Sequence, residues 1–493
     1  MRRTGLYRDP VFNGFYMPVY LPAFCHPDPC LADTLPVQVF AALGGAIRAG
    51  RISHGAVLPS TRHAATMLGL SRASLSTAYD LLRAEGLIEM RPGCRPTARL
   101  PAVALTGSSE TMLPALSQRG IAMACDPRSA GYLLPSGRLT PGMPDEAVFP
   151  ADLWAQILRR QTRLRHGDES GYVGYHGAAR LRAVLCARLA SDRGLSISPD
   201  QILITSGTQA SLSLITQLMT DPGDVVALED PGYLGARAAF LACGARIHPV
   251  PVDEQGMQVE ALPSSARLIY ITPSNQFPLG GRMGLDRRLA LLKKAREQGA
   301  LILEDDYDSE FLWHGREIAA LAAHDAATSC LYLGSASKSL LPGLRIGWMA
   351  VPKSLVEPLR AALRTAGCAA NLHAQYALAE LMESGHYRRH LRRISRLYHQ
   401  RGQALHDALH QIPGLASVAP SGGVQMALTL TSKGQEQLCQ AALAKAGYRA
   451  ARLSALCLNA SQEGLVIGFA ALRPDDPDRI ATILRDALSQ AIN

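Results

Sequence analysis

The stretch CLYLGSASK (330–338) decides the fold. An apolar run of strand length breaks off at a glycine and small hydroxyl residues, and a single lysine, Lys338, follows. Such a run, bounded by turn residues, reads as a strand buried on both faces. The same pattern recurs upstream in QILITSGTQ (201–209), DVVALEDPGY (224–233), RLIYITPSNQ (267–276) and ALILEDDYD (300–308). Helical patterns separate several of these runs, over 209–219, 234–243 and 285–298. Strand–helix alternation predicts an α/β fold with a mostly parallel sheet and right-handed crossovers. Ligands of such sheets bind beyond the carboxyl ends of the strands. The five polar clusters are therefore expected to line one crevice.

The residues in those clusters suggest a chemistry. Ser206, Gly207, Thr208 and Gln209 stand between a strand and a helix N-terminus, where free N–H groups and the helix dipole favour phosphate. Lys338 at a strand end, near apolar walls and other cations, is a candidate amine nucleophile; read alone, a lysine there is more often a surface residue at a loop edge. Arg345 begins the next strand and can pair with a phosphate. Asp305 could hold a protonated ring nitrogen, and Tyr307 could donate to a phenolate oxygen. The bland reading of EDDYD is a metal site or a solvated turn. Tyr233 in EDPGY is placed to cover a ring face. Together these groups are what pyridoxal phosphate requires: a lysine for the Schiff base and an acid to keep the ring nitrogen charged.

Outward from this core, 493 residues exceed one ordinary domain. With 47% hydrophobic and 18% charged residues the composition is globular, and no run approaches the apolar length a membrane helix needs. The basic N-terminus has no apolar segment of the secretory kind. Ten scattered cysteines suggest reduced thiols and a cytoplasmic location. Cys25 and Cys30 do not make a convincing zinc site, and no metal is expected. The net charge of +9 hints at nucleic acid, and it is locally denser over 34–98, with seven arginines, no lysine and three acids. Arginine suits bidentate phosphate and guanine contacts.

Residues 34–98 read as a small helical unit. Ser60 or Thr61 caps a helix to Leu68, Gly69 supplies a tight turn, and Ser71 caps a second helix running to about Glu85. Short strands flank Pro92-Gly93 as a wing. The second helix opens Ser-Arg-Ala-Ser-Leu-Ser, the short hydroxyls and single arginine that suit entry into a major groove. A plain helical hairpin capped by serines is the competing reading. Residues 1–33 form an irregular extension that the unit is not expected to need. Residues 99–135 read as a linker with one short helix, leaving 136–493 to the α/β domain.

The string LPSTR…LGLSRASLSTAYDLLRAEG resembles the GntR-type winged helix–turn–helix. By that resemblance Arg62, Ser71, Arg72, Ser74 and Ser76 face DNA, and Gly93 lies at the wing tip. The strings GYHGAARLR, EDPGYLGAR, TPSNQFPLGGRM, EDDYDSEF and SASKSLLPGLRIGW resemble fold-type I proteins of the aspartate aminotransferase superfamily. Joined in this order, the two parts resemble MocR-subfamily transcriptional regulators.

The resemblance implies that Lys338 bonds to the cofactor aldehyde, Asp305 to its ring nitrogen and Tyr307 to its 3′ oxygen, with Tyr233 stacking. Ser206, Gly207, Thr208, Gln209, Ser335, Ser337 and Arg345 would surround the phosphate. Asn275 stands in the cofactor pocket where the family usually has histidine. Tyr172 matches a tyrosine that reaches the partner subunit's phosphate, which implies a homodimer. Arg237, Arg449, Arg452 and Arg473 are candidates for an effector carboxylate. The expected function is a pyridoxal-phosphate-dependent regulator of operator DNA that answers an amine or amino-acid effector. A working aminotransferase with an autoregulatory DNA-binding domain is the alternative.

Overall fold

A computed structural model describes residues 18–100, 115–125, 137–171, 174–311, 313, 319–325, 328–459 and 462–490. The chain divides into two units, Met1–Ala115 and Leu116–Asn493.

The first unit holds α1 (Leu35–Arg48), α2 (Thr61–Leu68), α3 (Arg72–Ala84) and a two-stranded wing of β1 (Ile88–Glu89) and β2 (Thr97–Ala98), paired antiparallel. Gly69 ends α2 in the left-handed conformation at φ +66°, which a residue without Cβ adopts freely. Ser60 and Ser71 cap α2 and α3, each accepting from the backbone N–H three residues on. The apolar stripe of α3 (Leu75, Ala78, Tyr79, Leu82) packs on Val39, Leu43 and Ile47 of α1. The expectation that nothing before residue 34 is needed is corrected. Leu21 and Cys25 are buried in this core, and the Val19 N–H donates to the Val57 carbonyl at 2.8 Å. Isolated apolar residues in an aperiodic segment carry no pattern from which that docking could be read.

In the second unit α4 (Gln118–Ala124) lies in the stretch read as linker; the rest of 101–136, apart from residues 115–125, is outside the described residues. Next come α5 (Ala151–Gln161), α6 (Ala179–Arg193), β3 (Ile202–Thr205), α7 (Thr208–Met219), β4 (Val225–Asp230) and α8 (Leu234–Ala242). They are followed by β5 (Arg246–Asp253), β6 (Gly256–Met257), β7 (Ala266–Ile271), α9 (Leu285–Gln298), β8 (Leu301–Asp305), β9 (Cys330–Ser335) and β10 (Gly347–Ala350). The eight strands pair in the order β3-β10-β9-β8-β7-β4-β5-β6. Strands β9, β8, β7, β4 and β5 run parallel, and β10 is antiparallel to both β9 and β3. Strand β3 therefore shares the direction of β9. The carboxyl ends of the five predicted strands lie along one sheet edge, and the reversed β10 brings its own N-terminal end, with Arg345, to that edge. Alternate sheet faces pack on α7, α8 and α10 (Val356–Ala366), and on α5, α6, α9 and α11 (Leu372–Glu383).

The long α12 (His386–Leu409) leads to a second sheet of β11 (Leu415–Ser417), β12 (Gln425–Leu430), β13 (Ala451–Arg452) and β14 (Gly464–Gly468), all antiparallel, in the order β11-β12-β14-β13. Helices α13 (Gln435–Lys445) and α14 (Asp476–Gln490) complete it. The Gly468 N–H donates to the Leu139 carbonyl at 2.9 Å, which lays the segment after residue 137 along β14.

Candidate functional site

Lys338 follows β9, and its side chain is enclosed. Its Nζ donates to the Gly142 carbonyl at 2.6 Å. Gly142 has φ +70°, a left-handed conformation that glycine adopts freely, and a Cβ there would stand 2.8 Å from the movable Nζ. Burial pushes the lysine's pKa down, while the nearby Asp308 and Asp305 carboxyls oppose that without reversing it. The turn carrying Lys338 is braced from α12. Tyr387 Oη lies 2.7 Å from Ser339 Oγ, and His390 Nε2 lies 2.7 Å from the Ser339 carbonyl.

Asp305 closes β8 at 4% exposure. Tyr270, on the neighbouring β7, donates its hydroxyl to Oδ2 at 2.6 Å. Oδ1 is buried and has no hydrogen-bond partner. Burial pushes this carboxyl up to about 6, with Asp306 adding to the shift and Tyr270 and Lys338 opposing it. A buried carboxylate oxygen with nothing to accept from is costly, and a charged ring N–H would satisfy it. Asp306 turns to the other sheet face, where it pairs with Arg193 at 2.9 Å and accepts from Tyr332 at 2.6 Å. Asp308 accepts from Asn275 Nδ2 at 2.7 Å, and burial holds its carboxyl well above the usual range. Tyr233 and Tyr307 each meet the Phe277 ring edge-on, at 5.7 and 6.0 Å. Both join an apolar cluster that draws Leu234 and Phe277 from the large sheet's side and Leu453 and Val466 from the small one.

The expected phosphate cradle lies at the start of α7. Gly207 is the N-cap at φ +114°, with no side-chain cap, and the first helical bond runs from the Ser211 N–H to the Gly207 carbonyl. The N–H groups ahead of Ser211 are the unpaired donors of a helix N-terminus. Arg345 stands over this turn: a Cβ on Gly207 would be 3.8 Å from its Cζ. Its backbone is left-handed at φ +52°, a conformation costing an arginine about 1 kcal/mol. Among the described residues its guanidinium makes no ion pair. Gly347 allows β10 to close on the turn, since a Cβ there would stand 2.8 Å from the Gly207 Cα.

Two expected cradle residues are engaged elsewhere. The Ser206 N–H donates to the Cys368 carbonyl at 2.9 Å. The Gln209 amide donates to the Gly235 carbonyl at 3.0 Å, so only its backbone N–H belongs to the helix start. Ser335 Oγ accepts from the Ser337 N–H at 3.4 Å. Tyr172 lies outside the described residues. Among the candidate carboxylate arginines, Arg237 has Asp230 as its charged neighbour and Arg449 donates to the Ala444 carbonyl at 3.4 Å.

In the first unit Arg62, Ser71, Arg72, Ser76 and Gly93 are exposed. Ser74 is half-buried, and its hydroxyl lies 2.8 Å from that of Ser71. This surface combines the capped start of α3 with exposed arginines on two elements, Arg62 on α2 and Arg72 on α3.

Sequence reasoning missed Tyr270, Asp308, Gly142 and Gln425. Tyr270 is readable in retrospect, because it lies inside a quoted strand next to the one that carries Asp305. Gly142 comes from a segment 196 residues away from Lys338, and no local pattern announces it. Gln425 on β12 is 6% exposed, both its amide atoms are buried and unpaired, and Oε1 would lie 3.6 Å from a Cβ on Gly142.

Comparison with known proteins bears on both units. The family profile "Aminotransferase class I and II" matches residues 143–484, and "Bacterial regulatory proteins, gntR family" matches 35–95. The "Probable rhizopine catabolism regulatory protein MocR" of Rhizobium meliloti is 35% identical, over 89% of this chain and 90% of that protein. The "HTH-type pyridoxine biosynthesis transcriptional regulator PdxR" of Corynebacterium glutamicum is 31% identical, over 92% and 96%. Among solved structures, the kynurenine aminotransferase of Pyrococcus horikoshii aligns at TM-score 0.68 and 25% identity, over 79% of this chain and 98% of that one. The α-aminoadipate aminotransferase LysN of Thermus thermophilus, complexed with N-(5′-phosphopyridoxyl)-L-leucine, aligns at 0.65 and 27%, over 71% and 91%. With an aminotransferase class I and II unit behind a GntR-type head, and a likeness to MocR and PdxR along most of its length, the chain belongs to the MocR-type family of HTH transcriptional regulators.

Proposed function

We propose that this protein is a DNA-binding transcriptional regulator whose aminotransferase-like unit holds pyridoxal 5′-phosphate and answers an amine or amino-acid effector. The observation that carries this reading is the orphaned Asp305 Oδ1 at the same sheet edge as the enclosed Lys338 and the uncapped α7 start, in a chain that also has a winged helix. The fit to the cofactor is chemical as well as geometric. The α7 N–H groups and the unpaired Arg345 suit a phosphate dianion, Asp305 suits a ring N–H, and Lys338 supplies an amine. When bound there, pyridoxal phosphate supplies an aldehyde carbon that amines can attack.

The chain's own groups prepare that chemistry. Burial favours the neutral amine of Lys338, and the Gly142 carbonyl holds one of its N–H bonds. Tyr270 fixes the Asp305 carboxyl through Oδ2 and leaves Oδ1 open, where it would accept from a ring N–H. From the apolar cluster, Tyr233 would cover the ring face and Tyr307 would donate to its 3′ oxygen. Arg62, Ser71, Arg72, Ser76 and Gly93 form the exposed face for operator DNA, with Ser74 tying the helix cap. The protein works as a cytoplasmic homodimer. An effector acts only through different affinity for two arrangements of the protein.

A gel-shift on the DNA upstream of the protein's own gene tests this, at fixed salt because phosphate contacts make affinity salt-dependent. Wild type and Lys338→Ala are compared with and without pyridoxal phosphate. A specific shift that changes with cofactor in wild type alone is expected. A Lys338→Ala protein that responds like wild type would remove the lysine from the mechanism.

The intact Lys338, Asp305 and Arg345 also favour a second reading, a working aminotransferase. Robust keto-acid formation from a panel of amino donors, without specific DNA binding, would establish that reading instead.

A further inference from the structure

A cavity of about 650 Å³ opens between α6 and α12, over the sheet face that carries Tyr332 of β9 and Trp348 of β10. None of the residues assigned to the cofactor lines it. Helix α12 contributes Arg388, Arg392 and Arg396, whose four-residue spacing sets them on one helix face. Helix α6 adds Arg188 and Arg193. The acids in the lining are Asp192 and Glu310, so five guanidinium groups face two carboxylates.

Both of those carboxylates are occupied. Asp192 pairs with Arg388 at 3.1 Å and with Arg188 at 3.3 Å. Glu310 pairs with Arg188 and accepts from Tyr387 at 3.1 Å. Arg193 is taken by Asp306, and its Nη2 donates to Ser274 at 2.6 Å. What remains open is one-sided. Arg188 Nη1 and Trp348 Nε1 are buried donors with no acceptor. Arg392 and Arg396 are exposed at the cavity mouth and make no ion pair among the described residues. Buried donors without acceptors are expensive, and charge-assisted bonds to oxyanions are the strong remedy. The volume is that of a small-molecule site, not of a duplex backbone.

We propose that this cavity is a second ligand site, separate from the cofactor crevice, for a small multiply charged anion bearing carboxylate or phosphate groups. Arg392 and Arg396 grip it at the mouth, and Arg188 and Trp348 donate to it from the wall.

Calorimetric titration of the full chain, saturated with pyridoxal phosphate so that the α7 cradle is filled, with citrate and with pyrophosphate at matched ionic strength tests the proposal and separates the two anion classes. Saturable binding of at least one probe is expected, at one site per chain. Arg392→Gln/Arg396→Gln should weaken it roughly tenfold or more, since two charged donors are lost. Both positions are exposed, so the ligand-free melting temperature should match wild type. Arg345→Gln, at the cofactor cradle, should leave that binding unchanged. Absence of saturable binding for both probes overturns the proposal, and so does equal loss in Arg345→Gln. A double variant that loses affinity for duplex DNA of mixed sequence, yet binds both anions like wild type, also overturns it and assigns the arginines to DNA instead.

Discussion

Tyr270 donates to one oxygen of Asp305 and leaves the other unpaired, so one hydroxyl fixes the direction of that carboxyl and opposes the burial that raises its pKa. Removing the donor in Tyr270→Phe should raise the Asp305 pKa beyond its present value of about 6. Retention of pyridoxal phosphate, which needs the carboxylate ionised, should then fail at higher pH than in wild type. Cofactor absorbance across a pH series would show this, and superimposable profiles would remove Tyr270 from the site. Glu229, at the end of β4, makes a second case. It is 1% exposed, accepts from the Thr272 hydroxyl at 2.6 Å, and burial pushes its pKa up to about 8 from an ordinary 4.5. A group raised in the folded state stabilises fully below its unfolded pKa and loses that contribution as pH rises through the folded one. Stability should therefore fall between about pH 4.5 and pH 8, by an amount on the order of a few kcal/mol. Glu229→Gln keeps the shape and cannot ionise, so urea unfolding of the variant should show a flatter profile over that window. An unchanged slope would mean that another group carries the pH dependence.

At the level of elements, the crevice proposed for the cofactor depends on one reversed strand. β10 runs against its neighbours on both sides, which returns the chain to the sheet edge where β3 ends and α7 begins. The price of this contact is a missing side chain at Gly347, where a Cβ would meet the Gly207 backbone at 2.8 Å. In Gly347→Ala the turn must shift, because the obstacle is backbone and not the end of a flexible side chain. Affinity for pyridoxal phosphate should fall by about tenfold or more, corresponding to about 1.4 kcal/mol in lost phosphate contacts. Equilibrium dialysis of the cofactor measures it, and wild-type affinity would show that the α7 start tolerates displacement. The brace from α12 belongs to the same scale: Tyr387 and His390 hold Ser339 beside the reactive lysine, from a helix that continues into the second sheet's domain.

For the whole molecule, each unit has a described core of its own. The buried cluster of the winged helix draws only on residues 21–98, and the other clusters only on residues after 138. A core defect in the first unit should therefore stay there. Leu21→Ala empties a fully buried position and should cost that unit about 2–5 kcal/mol. DNA binding should then be lost at a lower temperature, while cofactor absorbance and the main melting transition stay as in wild type. A parallel fall of both would show that the units unfold as one.

The sequence by itself determined what depends on local pattern. Apolar runs ending in polar turns specified the parallel strands, because a buried strand is short, continuous and stopped by turn formers. The Ser-Arg-Ala-Ser start and Gly69 specified the helix–turn–helix through caps and a positive φ. Lys338, Asp305, Gly207 and Arg345 were legible because each sits where a strand or helix ends. The tertiary structure alone decided what depends on distant segments. It brought the Gly142 carbonyl to Lys338 across 196 residues, turned Gln209 toward Gly235, and drew Leu21 into a core from an aperiodic stretch. It also gathered the arginines of α6 and α12 around one cavity. Periodicity records which face of an element is buried; it does not record which other element covers that face. Packing and hydrogen-bond partners are settled only when the elements meet.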